Sequence, residues 1–198
     1  MRWEKDLVRD IRVGGNLDDI DMDVLRKPNS AFDISVMPTW SVPRSDFSKA
    51  NGLALTAHLA AMTREPMSIL EIGVHRNQVD EESSTSIFFQ NKNDDCVYLG
   101  VDKNDRSHLD DEEKNIHTVQ CPSQEYDTVR SKMAEIGMET IDVLLIDGWH
   151  SINQLLYDWE YSDILSEDGM VVFHDTRLHP GPNLFVNALD TNIWRVVR

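Results

Sequence analysis

From residue 67 onward, apolar residues come in short unbroken runs separated by polar, turn-rich segments. Met67 to Val74, Cys96 to Val101, Ile116 to Cys121, Ile141 to Ile146, Met170 to His174 and Ile193 to Val197 read as strands. Stretches such as Val143-Leu144-Leu145-Ile146 and Met170-Val171-Val172-Phe173 do not alternate with polar residues, which marks strands covered on both faces. Between them lie helix-like segments: Ser84 to Asn91, the acidic Ser107 to Asn115, Ser123 to Ile136 stopped by Gly137, Ser151 to Leu165 stopped by Asp168-Gly169, and Asn183 to Leu189. Strand and helix in alternation predict a doubly wound, mostly parallel, Rossmann-like α/β sheet flanked by helices.

Residues 1–66 have a different texture. Two short helical patterns, Trp3 to Val13 and Leu17 to Lys27, end at Gly14-Gly15 and Pro28, and Pro28 to Pro43 reads as loop. A helix capped by Ser45 or Asp46 then runs to about Arg64 with a broad apolar face, and Pro66 ends it. The chain thus divides into an N-terminal region, 1–66, expected to give a lid and a sheet-packing helix, and a catalytic domain, 67–198.

Charge narrows the partners. A formal net charge of −16 without any basic run argues against nucleic acid and anionic membrane, which need clustered Lys and Arg. No apolar run approaches the roughly 20 residues of a membrane span, and the charged start Met1-Arg2-Trp3-Glu4-Lys5-Asp6 is no secretory signal. Cys96 and Cys121 have neither metal-ligand nor redox spacing and read as buried, reduced thiols. A cytoplasmic protein acting on a small molecule is the expectation.

In a doubly wound sheet, ligands bind beyond the carboxyl ends of the strands, near the switch in strand order. The residues leaving the strands are Glu71-Ile72-Gly73, Asp102, Cys121-Pro122-Ser123, Asp147-Gly148-Trp149-His150 and His174-Asp175. Four of these five exits carry a carboxylate or histidine. Gly73 permits a tight turn beside a ligand. Glu71 is placed to meet a cationic amine through water, and Asp102 to accept from ribose hydroxyls. Ser123 reads as a helix N-cap, with Pro122 and Gln124 flanking a purine. Each also has a structural alternative: Glu71 paired within the fold, Asp102 opening an Asx turn, Ser123 only capping.

The runs Ile69-Leu-Glu-Ile-Gly-Val74, Ser84-Thr85-Ser86, Tyr98-Leu-Gly-Val-Asp102, Ile141-Asp-Val-Leu-Leu-Ile-Asp-Gly-Trp-His150 and Met170-Val-Val-Phe-His-Asp175 together resemble the class I S-adenosylmethionine (SAM)-dependent methyltransferases. Within them the chain is most similar to the macrolide-sugar O-methyltransferase and cephalosporin-hydroxylase-like group, over roughly residues 67–176. The resemblance implies that Glu71, Gly73, Ser84, Asp102, Ser123 and Asp147 face SAM. It implies that Asp147, His174 and Asp175 hold a divalent metal, Mg²⁺ or Mn²⁺, and that His150 acts as general base with Asp147 beside it.

Three departures from the family pattern stand out. The loop after Gly73 is about five residues longer than usual and carries Asp80, Glu81 and Glu82. His174 replaces the usual acidic ligand, and histidine suits Mn²⁺, Zn²⁺ or Fe²⁺ better than Mg²⁺. The family's terminal hairpin is short of one strand here, unless a partner or the N-terminal region supplies it; an unpaired edge would favour a homo-oligomer. Two other functions stay open at this point: a metal-independent methyltransferase, and a non-catalytic binding or assembly protein retaining the fold. His179, in the loop after Asp175, is a candidate substrate contact; His58, His108 and His117 read as surface or core residues.

Overall fold

Ile141–Ile146 is buried along all six residues and Ser68–Ile72 along all five. Only a strand with neighbours on both edges and helices or side chains over both faces buries itself so completely. A computed structural model of the chain, described for residues 32–35, 66–74, 83–176 and 178–197, shows how this is done. Seven strands form one sheet. They are β1 (Phe32–Ser35), β2 (Ser68–Ile72), β3 (Val97–Asp102), β4 (Ile116–Gln120), β5 (Ile141–Ile146), β6 (Leu165–Phe173) and β7 (Arg195–Val197). Their order is β4-β3-β2-β5-β6-β1-β7, and every named pair is parallel. From β2 the chain winds outward to β3 and β4; from β5 it winds the other way to β6. The switch in strand order therefore lies between β2 and β5.

Phe32–Ser35, expected as loop, is a strand: it pairs with β6 from Phe32 opposite Met170 to Ser35 opposite Phe173, and with β7 on its other side. The N-terminal region thus fills the seat between β6 and β7. The expected helices over residues 3–13, 17–27 and 45–64 lie outside the described residues, as does the loop 75–82.

Four helices are described: α1 (Ser84–Asn91), α2 (Tyr126–Glu135), α3 (Ile152–Trp159) and α4 (Pro180–Ala188). Leu70, Ile72, Val101, Leu144, Ile146 and Phe173 face a core shared with Val129 and Met133 of α2, Leu155 and Trp159 of α3, and Phe185 of α4. Their alternates, Ile69, Tyr98, Val143, Leu145 and Val172, pack with Ile87 and Phe88 of α1 on the opposite face. This is the two-sided cover that the unbroken apolar runs demand.

Four helix expectations change: 151–165 is α-helical only over Ile152–Trp159 and continues as a 3₁₀ helix, Glu160–Ile164, before β6 begins at Leu165, and the last helix begins at Pro180 rather than Asn183. The acidic stretch 107–115 makes two 3₁₀ turns, Ser107–Leu109 and Glu112–Lys114. Asp105 accepts from Ser107 N, and Asp111 from Lys114 N; such local side-chain bonds compete with a regular helix. The segment 123–136 is helical only from Tyr126, with Glu125 at its N-cap position. Ser123 is therefore not a cap. Both cysteines are buried thiols. Among the described residues, no helix is long and apolar enough to cross a membrane.

Candidate active site

The carboxyl ends of β2 and β5 approach closely. Gly73 N donates to Val101 O at 2.9 Å, and Asp147 N donates to Ile72 O at 2.8 Å. Gly73 has φ +90°, and a Cβ there would lie 2.1 Å from Asp147 O. Only glycine allows that turn and that contact together. Beyond these ends lies a cleft of about 770 Å³ lined by Gly73, Asp102, Asn104, Ser123, Asp147 and Trp149, among others. That volume suits a cofactor-sized ligand, and the cleft sits at the switch point, where such sheets bind ligands. Trp149 stands 73% exposed at its edge.

Asp102 and Ser123 both line the cleft, but each is engaged. Asp102 Oδ1 accepts from Asn104 N at 2.8 Å and Asn104 Nδ2 at 3.1 Å. Its Oδ2 accepts from Arg106 Nε and Nη2, each at 3.2 Å. A carboxylate offers about four lone-pair sites, so a ribose hydroxyl reaches Asp102 only by displacing one of these donors; the Asn104 amide is the exposed one. Ser123 Oγ donates to Asp158 Oδ1 at 2.6 Å and accepts from Gln154 Nε2 at 2.8 Å. Gln154 Nε2 also reaches Asp158 Oδ1 at 2.9 Å. Burial is the largest influence on Asp158 and lifts its carboxyl to about 6. Sequence reasoning missed this network. The only sign was the four-residue spacing that puts Gln154 and Asp158 on one side of α3.

Glu71 and Ser84 lie elsewhere. Glu71 shares the α1 face of the sheet with Ile69 and has no exposed surface. Its Oε1 accepts from Ser84 Oγ, and its Oε2 accepts from Thr85 Oγ1 at 3.0 Å and Tyr98 OH at 2.5 Å. Neither Glu71 nor Ser84 lines the cleft. Expected as cofactor contacts, the two satisfy each other inside the fold, because alternation along β2 turns Glu71 away from the side on which Ile72 reaches the cleft.

Four other predicted residues do converge. Ligating atoms of Asp147, His150, His174 and Asp175 all lie within 4.8 Å of one another. Asp147 follows β5, and His150 precedes α3, whose N-cap Ser151 accepts from Gln154 N. His174 and Asp175 leave β6 consecutively. Neighbouring side chains on extended backbone point to opposite faces; the left-handed turn at Asp175, φ +55°, brings both to one point. His174 Nδ1 is 3.0 Å from Asp147 Oδ1 and 3.3 Å from Asp175 Oδ1. His150 Nε2 is 3.5 Å from Asp147 Oδ1 and 3.5 Å from Asp175 Oδ2. His179 stacks on His150 with ring centroids 4.2 Å apart, and its Nε2 is 3.7 Å from Asp175 Oδ2. A Cβ on Gly181 would lie 2.2 Å from His150 O, so the start of α4 fixes the His150 backbone.

Burial works against charge at Asp147 and Asp175, but the neighbouring histidines outweigh it and hold both carboxyls below the usual range. Burial likewise pushes His174 down, and the two carboxylates reverse this to about 10; Asp147 raises His150 as well. Nevertheless, His150 Nε2 and His174 Nδ1 are buried atoms with no hydrogen bond of proper geometry. His174 Nδ1 and the two carboxylates, converging in this way, are the donor set of a divalent cation, with His150 Nε2 beside them, so the residues fit the metal that the resemblance implied. A cation would compete with protons for these lone pairs.

Residues 55–176 match the family model described as a methyltransferase domain. No curated protein matches the chain. Similar solved structures number 19 chains. Three of them are complexes of the MycE methyltransferase from the mycinamycin biosynthetic pathway. With Mg, SAH and mycinamycin VI, that enzyme shows 18% identity and a TM-score of 0.51 over 71% of this chain and 36% of its own. Its first crystal form with Mg and SAH shows 18% identity and a TM-score of 0.50 over 71% and 37%. Its second shows 19% identity and a TM-score of 0.49 over 62% and 30%. At these identities the likeness is one of fold, and this chain spans about a third of the length of those structures.

Proposed function

This chain belongs to the methyltransferase domain family, and we propose that it transfers the methyl group of SAM to a hydroxyl of a small molecule such as a sugar or sugar-bearing metabolite, assisted by a divalent metal. The observation that carries this reading is the position of the Asp147–His150–His174–Asp175 cluster. It stands where the switch-point cleft is walled by Asp147 and His150.

The residues divide the task. The cleft from Gly73 to Gln124 takes the nucleoside end of SAM, with Asp102 accepting from the ribose as Asn104 gives way, and Ser123 held in place by Asp158. Asp147, His174 and Asp175 would hold the metal, which when bound lowers the pKa of a coordinated hydroxyl and orients it. His150 Nε2 takes the proton of the acceptor hydroxyl; the stacked His179 ring and the Gly181 contact keep the imidazole facing the cluster. Positioning of the hydroxyl against the methyl group supplies much of the remaining barrier reduction. The MycE complexes, which hold Mg, SAH and mycinamycin VI, support this as a fold-level analogy. Cys96 and Cys121 as buried thiols suit a cytoplasmic setting.

Calorimetric titration of SAM and its demethylated product, with and without Mg²⁺ or Mn²⁺, tests the reading. Micromolar binding is expected, with turnover of hydroxylated acceptors lost in Asp147→Ala and His150→Ala while the far-ultraviolet circular dichroism is kept. Failure of both compounds to bind under every metal condition overturns the catalytic reading. Turnover that survives thorough chelation returns Asp147 and His150 to substrate orientation alone.

A further inference from the structure

The residue after β6 in the cluster is a histidine, and its Nδ1 lies against both carboxylates. The His174 Nδ1 gaps to Asp147 Oδ1 and Asp175 Oδ1, 3.0 and 3.3 Å, are shorter than the 3.5 Å gaps from His150 Nε2 to the same two residues. Donors bound to one small cation at about 2.0–2.2 Å stand about 3 Å apart when at right angles. A plain ion pair between an imidazole and two acids would show hydrogen bonds along the ring N–H direction. His174 Nδ1 is buried and has none, although two carboxylate oxygens are within reach. The nitrogen thus lies against both carboxylate oxygens without a well-directed hydrogen bond to either, an arrangement that a cation held by all three would satisfy.

Mg²⁺ takes oxygen ligands and keeps much of its water. Imidazole nitrogen favours divalent transition metals of intermediate softness, and carboxylates accept the same ions. We propose that this site selects a divalent transition metal of the Mn²⁺, Fe²⁺, Co²⁺ and Zn²⁺ class over Mg²⁺, with His174 Nδ1 as a nitrogen ligand beside Asp147 and Asp175. The proposal rests on the reading of these three residues as a cation site. It assigns a selectivity that an all-carboxylate site would lack, and places its origin in one atom.

The test titrates each metal alone, without SAM or acceptor. In the parent chain Co²⁺ or Mn²⁺ should bind at least about 100-fold more tightly than Mg²⁺, because one of three protein ligands is nitrogen. Any mixed site favours transition metals somewhat, so the deciding quantity is how this ratio changes in His174→Glu. It should fall at least about tenfold there, mainly because Mg²⁺ binds better. His174→Asp serves if the glutamate variant melts early. The Co²⁺-loaded parent should also show a hyperfine-shifted, solvent-exchangeable imidazole N–H proton resonance that the variant lacks; this needs no substitution to be seen in the parent. A ratio unchanged by the carboxylate variants, or a Co²⁺ spectrum without that resonance, overturns the nitrogen ligand and leaves the cation site standing. If none of these metals binds at millimolar concentration, the inference and the cation site both fail. The SAM titration still decides the methyltransferase reading separately.

Discussion

Raising the pH through neutrality should weaken the fold through Glu71. This carboxyl has no exposed surface, and burial is the largest influence on it, lifting its pKa from 4.5 to about 7 against the opposing bonds from Ser84, Tyr98 and Thr85; the charge of Asp147 adds to the rise. In the unfolded chain the group ionises near 4.5. Between these values the folded chain holds a proton that the unfolded chain has released, so stability falls as pH rises. The contribution is fully present below 4.5 and lost above about 7. A tenfold difference in proton affinity is about 1.4 kcal/mol, so the whole effect is about 3 kcal/mol, of which about 2.5 falls between pH 5 and pH 8. Other groups also titrate in this range, Asp158 among them, so the comparison needs Glu71→Gln. The amide keeps the shape and can donate to Ser84 Oγ while its oxygen accepts from Thr85 and Tyr98, but it never ionises. Urea unfolding of both proteins at pH 5 and pH 8 should show the variant gaining about 2.5 kcal/mol on the parent between the two pH values. Parallel behaviour, with a relative change below about 0.5 kcal/mol, would refute the argument, because it would mean that Glu71 is ionised at no cost inside the fold.

Two glycine substitutions probe the strand ends. Gly73→Ala would set a Cβ 2.1 Å from Asp147 O at φ +90° and should cost about 3 kcal/mol or more, read as a melting temperature lower by roughly 6 °C or more; a loss under about 2 °C would show that β2 and β5 need not meet so closely. Gly181→Ala would push on His150 O from 2.2 Å; it should lower kcat by tenfold or more at a stability cost of about 1–3 kcal/mol, and unchanged kcat would separate α4 from the placement of His150.

The chemistry was legible because it sits on strand ends. Asp147, His150, His174 and Asp175 are distant in sequence only in pairs, and each pair follows a short, β-branched-rich apolar run of the length of a buried strand. Once β5 and β6 are neighbours, as their register from Val143 opposite Met170 to Ile146 opposite Phe173 makes them, the two pairs must meet. The helix bounds Ser84–Asn91 and the strand bounds Ile141–Ile146 coincide with the reading for the same reason: a Ser83 cap at the first, and uninterrupted burial at the second.

What escaped the sequence depends on contacts between residues far apart. β1 has four residues, Phe32 to Ser35, between Pro28 and Pro38, and its partners lie more than 130 positions downstream; so short a run has no period to read. Ser123 looks like a cap because serine before a helix commonly is one, yet its hydroxyl is drawn to Asp158, 35 residues away, and the helix starts later. Glu71 is the sharpest case. Alternation along Ile69-Leu70-Glu71-Ile72 places it on the face of Ile69, so its separation from the cleft follows from the strand period alone. Its acceptors are filled by Ser84 and Thr85 at the start of α1 and by Tyr98 on β3. A motif that marks an acidic residue beside a ligand and a strand that turns it into the core make opposite demands on one side chain. The three hydroxyls decide between them: they satisfy a buried carboxyl that, among the described residues, has no ion pair to hold it charged.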